Sequence, residues 1–263
     1  MRSRRGVALV TALWLVLVLG VVATEVTRSA YGVADTADNV RSRMVARYAA
    51  ESGIVLASAR IEDTLAVLRD STLVRSFLNR LEQGSLGISR VDLGDARFQL
   101  AVVDVNARLD VNRATAEQLM TLFSSVADMD ESRTAATAIR NRIEYGRAGD
   151  MFRGSPPAGV AKPLYVTPLR SLSELQTIPG VSERVANGAA PFLTVDGDGH
   201  VNQVTASPPV RAASGGDLRD TPSRLLLISR GWKEGRPLTF EIQAVYALEY
   251  GKVVLVSWRE RDL

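Results

Sequence analysis

Residues 1–23 read MRSRRG and then VALVTALWLVLVLGVVA, and this stretch decides how the rest of the chain is read. Arg2, Arg4 and Arg5 lead up to Gly6, and the run from Val7 to Ala23 carries no charge. At about 1.5 Å per residue the run makes a helix about 25 Å long, at the short end of what spans a hydrocarbon core of about 30 Å. Arginines on its N-terminal side place that side in the cytoplasm and residues 29–263 across the membrane. A secretory signal peptide would show a small-residue cut after the apolar run and then a change of texture. Here Glu25 and Arg28 end the run while a helical pattern continues, and the good cut lies ahead of it, between Gly6 and Val7.

Past the membrane, Val26, Val33, Ala37, Val40, Met44, Tyr48 and Val55 recur at spacings mostly of 3, 4 and 7, the apolar stripe of an amphipathic helix. The first proline is Pro156, so a single helix is predicted over about 7–69, with Gly32 and Gly53 as places for a bend. Residues 71–83 form a second, short amphipathic helix ended by Gly84 and Gly87. Phe98, Leu100 and Val102 alternate with polar or small residues, which predicts a strand over about 96–105. Residues 224–229 and a hairpin over 238–258, turning at Gly251, supply further strands. In the hairpin Phe240, Ile242, Ala244 and Tyr246 share one face while Thr239, Glu241 and Gln243 share the other. One apolar and one polar face predict an antiparallel sheet packed on a helix. Residues 107–195 read as helical, divided by a Gly/Pro/Ser loop at 146–168. Residues 196–222, rich in Asp, Gly and Pro, read as loop and linker.

Composition excludes more than it assigns. The chain has 263 residues, a net charge of +3 and no cysteine. Scattered arginines at this net charge are weak grounds for a nucleic-acid partner. The lone histidine, His200, lies in the Gly/Asp loop with no Gly-x-Ser-x-Gly elbow and no cysteine, so neither a hydrolase triad nor a His/Cys metal cluster is expected. No enzymatic activity is expected.

Three local patterns carry identity. The first is Asp104-Val-Asn106-Ala-Arg108-Leu-Asp110-Val-Asn112 ahead of Arg-Ala-Thr115-Ala116-Glu117, which reads as a helix start with Asn112 among the capping side chains. The second is Ser171-Leu-Ser-Glu174-Leu175-Gln-Thr-Ile178-Pro-Gly180-Val181, a short helix, a tight turn and a new helix. The third, Val201-Asn202-Gln-Val-Thr205-Ala206, echoes the first and suggests an internal duplication.

A basic leader ending in glycine before an apolar start resembles the prepilins of the type IV pilin and pseudopilin class. With the three patterns in this order, the chain resembles the GspK family, the large minor pseudopilins of the type II secretion system. The resemblance implies an α+β fold: a pilin-like long N-terminal helix on an antiparallel sheet, with an inserted all-α domain of helix-hairpin-helix or SAM-like type. It implies a leader at 1–6, a transmembrane helix at 7–28, a pilin-like helix and first strand at 29–106, an inserted domain at 107–195, a loop at 196–222 and C-terminal strands at 223–263. Prepilin peptidase would cut between Gly6 and Val7. Other implied partners are two smaller minor pseudopilins in a heterotrimer, the major pseudopilin and the inner membrane, with no nucleic acid. The implied task is to cap the tip of a periplasmic pseudopilus and start its assembly for protein export.

Thr11 occupies the fifth position after the cut, where most pilins carry glutamate and this family characteristically does not. A carboxylate in lipid is costly without a partner, and a subunit at the tip has no subunit ahead to supply one. Val7 departs from the phenylalanine or methionine common at the first mature position. Asp196-Gly-Asp198-Gly resembles part of a calcium loop, without the remaining oxygen ligands of an EF-hand. Residues 175–192 also resemble a helix-hairpin-helix element, though Ser182 replaces its second glycine and Glu174 and Glu183 oppose a phosphate. The alternatives kept open are a minor pilin of a type IV pilus and a membrane-anchored DNA receptor.

Overall fold

The computed structural model describes residues 3–152, 154, 156, 157, 159, 160 and 166–263. Within the first helix the side chains of residues 3–8, 11, 30 and 32–35 lie outside the description. Gly6 and Val7 of the expected cut, and Thr11, lie there: their backbone belongs to the helix, and their side chains lie outside the described residues.

Helix α1 (Ser3–Val67) is unbroken, with neither glycine producing an end or a restart. Asp70 begins α2 (Ser71–Asn79) by accepting from the Thr72 amide at 2.6 Å. Strands β1 (Arg90–Leu93) and β2 (Ala96–Asp104) form a hairpin. Strands β7 (Arg224–Lys233), β8 (Thr239–Glu249) and β9 (Lys252–Asp262) complete a five-stranded sheet of order β1-β2-β7-β8-β9, antiparallel throughout. Between β2 and β7 come β3 (Leu109–Asp110), α3 (Ala116–Phe123), α4 (Met129–Tyr145), α5 (Glu183–Ala189), β4 (Leu193–Thr194), β5 (Val201–Asn202), α6 (Pro208–Ala213) and β6 (Leu218–Arg219).

The sheet lays Phe98, Leu100, Val102, Leu225, Leu227, Phe240, Ile242 and Ala244 against α1, forming the first core. The helix meets them with small residues: Ala46, Ala49, Ala50, Gly53 and Ala57 are buried, with Ile54 and Ile61 filling the gaps. Backbones approach closely here. A Cβ on Gly53 would lie 2.2 Å from Ser229 Oγ, and one on Gly231 would lie 2.1 Å from the Ala46 carbonyl oxygen. Gly53 therefore serves contact with the sheet and not the expected bend. Ion pairs from Arg43 to Asp262 and Arg47 to Glu260 tie α1 to β9, and one from Arg236 to Asp38 ties it to the β7–β8 connection.

The stripe that hydropathy picks out is not the face that packs on the sheet. Val40, Met44, Tyr48 and Val55 lie on the outward side of α1, and Tyr48 is 60% exposed. The buried face is the Ala/Gly face, because small residues let the helix sink onto the strands. The polar face of β8 also differs from expectation. Glu241 is fully buried, covered by Arg230, Arg261 and Gln243, which donate to its carboxylate.

The chain between β2 and β7 builds a second core from Val111, Leu119, Leu122, Phe123, Ile139, Ile143, Leu175 and Leu193, among others. It is mostly helical but not all-helical, since β3–β4 and β5–β6 are short parallel pairs. Residues 196–222, expected as loop, hold β5, α6 and β6, and Val201, Ala206, Val210 and Ala213 are buried in this core. Polar composition hid them because a two-residue strand and a six-residue helix show no periodicity.

Candidate functional site

Two places on this fold combine chemistry with position: the long helix and the polar junction between the two cores. The helix carries the membrane feature. The 18-residue window Ala12–Ser29 has a mean hydropathy of 1.6 and is uncovered, so by length and composition it is apolar enough to cross a membrane. Beyond it the outward stripe of Val40, Met44, Tyr48 and Val55 stays exposed although the opposite face is fully packed. A helix with apolar residues on both faces has more apolar surface than its own domain covers.

The junction is built from the Asp-x-Asn patterns. Asp104 is 4% exposed; its carboxylate accepts from the Asn106 amide at 2.8 Å, Asn202 Nδ2 at 2.7 Å and Thr205 Oγ1 at 2.5 Å. Asn202 Nδ2 also donates to Asn79 Oδ1, and Asn79 Nδ2 donates to the Asp220 carbonyl, which brings α2 into the network. Asn106 donates to Asp198 and to the His200 carbonyl and accepts from the Ser223 and Arg224 amides. The two ends of the long connection thus meet at one asparagine. Burial is the dominant influence on Asp104 and pushes its carboxyl above the usual range, against the lowering effect of its three donors. Burial likewise raises Asp110.

Asn112 differs from the expected cap. Thr115 caps α3 in a capping box with Gln118. Asn112 instead bridges backbone groups, donating to the Leu169 and Val195 carbonyls and accepting from the Leu169 amide at 2.7 Å. The echo of the pattern is real in place: β3 leads to α3 as β5 leads to α6, and Val111 and Val201 are both buried.

No family model matches the chain, and no curated protein does. Among solved structures it is similar to a chain in "The Crystal Structure of the GspK-GspI-GspJ complex from enterotoxigenic Escherichia coli Type 2 Secretion System". The match has 12% identity and a TM-score of 0.50, over 72% of this chain and 92% of that one. The fold is pseudopilin-like. In such a fold, one apolar N-terminal helix running into the sheet domain is the expected layout, and the exposed span Ala12–Ser29 has that place here.

The other singled-out residues fall as follows. Asp196 is clamped by Arg259 through two bonds of 2.8 and 2.6 Å, and this pairing raises the guanidinium of Arg259 further. Asp198 accepts from Ser223 Oγ, Asn106 Nδ2 and the His200 amide. Burial acts upward on Asp198, but these donors outweigh it and lower its carboxyl. With an arginine against one carboxylate and three donors on the other, the pair does not fit a calcium ion, which needs several free oxygens converging on one point. Among the described residues no group of three or more His, Cys, Asp or Glu gathers as metal ligands. His200 Nε2 lies 2.6 Å from a guanidinium nitrogen of Arg219. At the hairpin turn Ser182 accepts from the Val185 amide and donates to Glu131. That carboxylate stands beside the start of the seven-residue α5, where a DNA phosphate would have to approach.

The sequence reading missed the Ala46/Ala49/Ala50/Gly53/Ala57 face and buried Glu241. Recurrence of Ala and Gly at helical spacing was the available signal for the first. The second had none, since a glutamate on a strand ordinarily marks the solvent side.

Proposed function

We propose that this chain is a minor pseudopilin of a type II secretion system, held in the inner membrane by α1, with its sheet and helical unit in the periplasm. The observation that carries the reading is the uncovered apolar stripe of α1, Val40-Met44-Tyr48-Val55, on a helix whose other face is already packed. These side chains are 50–60% exposed, so covering each against a neighbouring helix is worth about half of the roughly 1.5–3 kcal/mol of full burial, and a few together favour bundling. The structurally similar chain belongs to a complex of three minor pseudopilins, which supports two smaller minor pseudopilins as the occupants of this stripe. The helical unit between β2 and β7 adds bulk that would stop another subunit stacking above, and Thr11 in place of a carboxylate suits a subunit with none ahead of it. The role is to cap the pseudopilus tip and begin its assembly, with the major pseudopilin following, and involves no catalysis.

Intact mass and N-terminal sequencing of the chain from membranes, with and without active prepilin peptidase, test the reading. The expected result is a mature start at Val7 that depends on the peptidase, with two smaller minor pseudopilins co-isolating. An uncleaved Met1, or a cut after residue 23, overturns it.

A further inference from the structure

The outer face of the sheet and the helical unit leave a groove of about 670 Å³ between them, within the ~300–1,000 Å³ span of ligand sites. Its floor is apolar: Val103 of β2 beside Leu226 and Ile228 of β7, on the side of the sheet away from α1. Leu172 and Pro191 rise from the helical unit on one side. The charges around it are unbalanced. Arg259 is neutralised by Asp196, Arg261 by Glu241, and Glu260 is taken by Arg47. Arg108 and Arg170 also line the groove, and among the described residues neither guanidinium meets a carboxylate, while the Arg170 backbone amide donates to Glu174 at 2.8 Å. Arg108 donates to the backbone carbonyl of Asp104 at 3.3 Å, leaving most of its fork unused.

Both arginines come from the patterns that stand out in the sequence. Arg108 lies inside the Asp104–Asn112 stretch, whose Asp104 and Asn106 turn into the junction. Arg170 precedes Ser171, the cap of the turn at Leu172–Thr177. Folding brings the two stretches to one groove, where two guanidinium groups that no described carboxylate neutralises stand over an apolar floor. We propose that this groove binds an acidic peptide segment in extended form, apolar side chains on the Val103–Leu226–Ile228 floor and carboxylates on Arg108 and Arg170. A guanidinium fork matches a carboxylate through two parallel bonds, and the apolar floor favours a peptide over a free anion. The proposal does not rest on the pseudopilin reading, since the groove and its charges are the same whatever the chain assembles with.

The test uses the full-length chain in detergent, with empty micelles as the blank. The probe is a fluorescein-labelled hexapeptide alternating aspartate and leucine, read by fluorescence anisotropy at low and at physiological salt. A second probe has lysine in place of aspartate. The aspartate peptide is expected to bind, more weakly at higher salt, and the lysine peptide at least about tenfold less well. R170E, at an exposed position whose backbone amide donates to Glu174 and whose side chain bonds none of the described residues, is expected to weaken binding of the aspartate peptide by about tenfold or more. The R108E/R170E pair should reverse the preference between the probes. An unchanged melting temperature for R170E separates loss of binding from loss of fold. No binding to the wild type, equal binding of both probes, or unchanged binding by R170E overturns the proposal; prepilin processing is unaffected by any of these outcomes.

Discussion

At the scale of single residues, the junction and the helix–sheet contact depend on a few side chains that tolerate little change. Asp104→Ala removes the acceptor of Thr205 Oγ1 and one of the two acceptors of the buried Asn202 Nδ2. Losing these acceptors makes the expected loss about 2–4 kcal/mol in a denaturant titration. Gly53→Ala drives a methyl into Ser229 Oγ and the Phe98 ring, and overpacking of this kind is expected to cost about 1–3 kcal/mol. Glu241 gives a pH test. Burial acts upward on its carboxyl, but bonds from Arg230 and Gln243 and the nearby Arg261 outweigh it, so the folded value lies below the ordinary 4.5. A lowered carboxylate contributes stability that is present above 4.5 and lost as pH falls through the folded value. Glu241→Gln is therefore expected to cost about 1–2 kcal/mol at pH 7, discounted because both arginines are half exposed. The gap from wild type should close as the pH is lowered below 4.5; a gap that persists at acid pH would show that packing, not charge, holds Glu241.

At the scale of elements, α1 is the part whose two faces have different customers. Its Ala/Gly face is bound to β2, β7 and β8, so substitutions there act on folding. Its outward face acts on association. Tyr48→Asp adds a charge at a 60%-exposed position and is expected to leave the melting temperature unchanged. The same variant should lose co-isolating partners by at least about tenfold, because a charge desolvated in a helix–helix contact is costly. If partners persist, they hold another surface. The helix and an apolar stripe are legible in the sequence, but which face of the helix packs on the sheet is not. Leu, Val and Tyr dominate any hydropathy pattern, whereas the packing decision went to alanine and glycine through closeness of approach. Similarly α6 and the β5–β6 pair were too short to show a period, and only their burial in the second core reveals them.

At the scale of the whole molecule, one chain supports two cores joined by a polar lock at the point where the long connection leaves β2 and returns to β7. Asn106, just after β2, donates its own amide to the Asp104 carboxylate and accepts through its side chain from the incoming Ser223 and Arg224 amides. Its replacement by alanine is expected to uncouple the two cores, so that calorimetry shows two transitions where the wild type shows one.

What the sequence by itself determined is local. An uncharged run after three arginines makes a membrane-length helix in any context, and period-two strands with a glycine turn make a hairpin. The order of helix, strand, helical segment and strands followed from those periods, because each depends only on residues near in the chain. Which face of α1 packs, why Glu241 is buried, and how Asp104, Asn106 and Asn202 meet were decided by tertiary structure alone. Each of these depends on contacts between residues roughly a hundred positions or more apart in sequence, or on neighbouring strands, and such contacts leave no period to read.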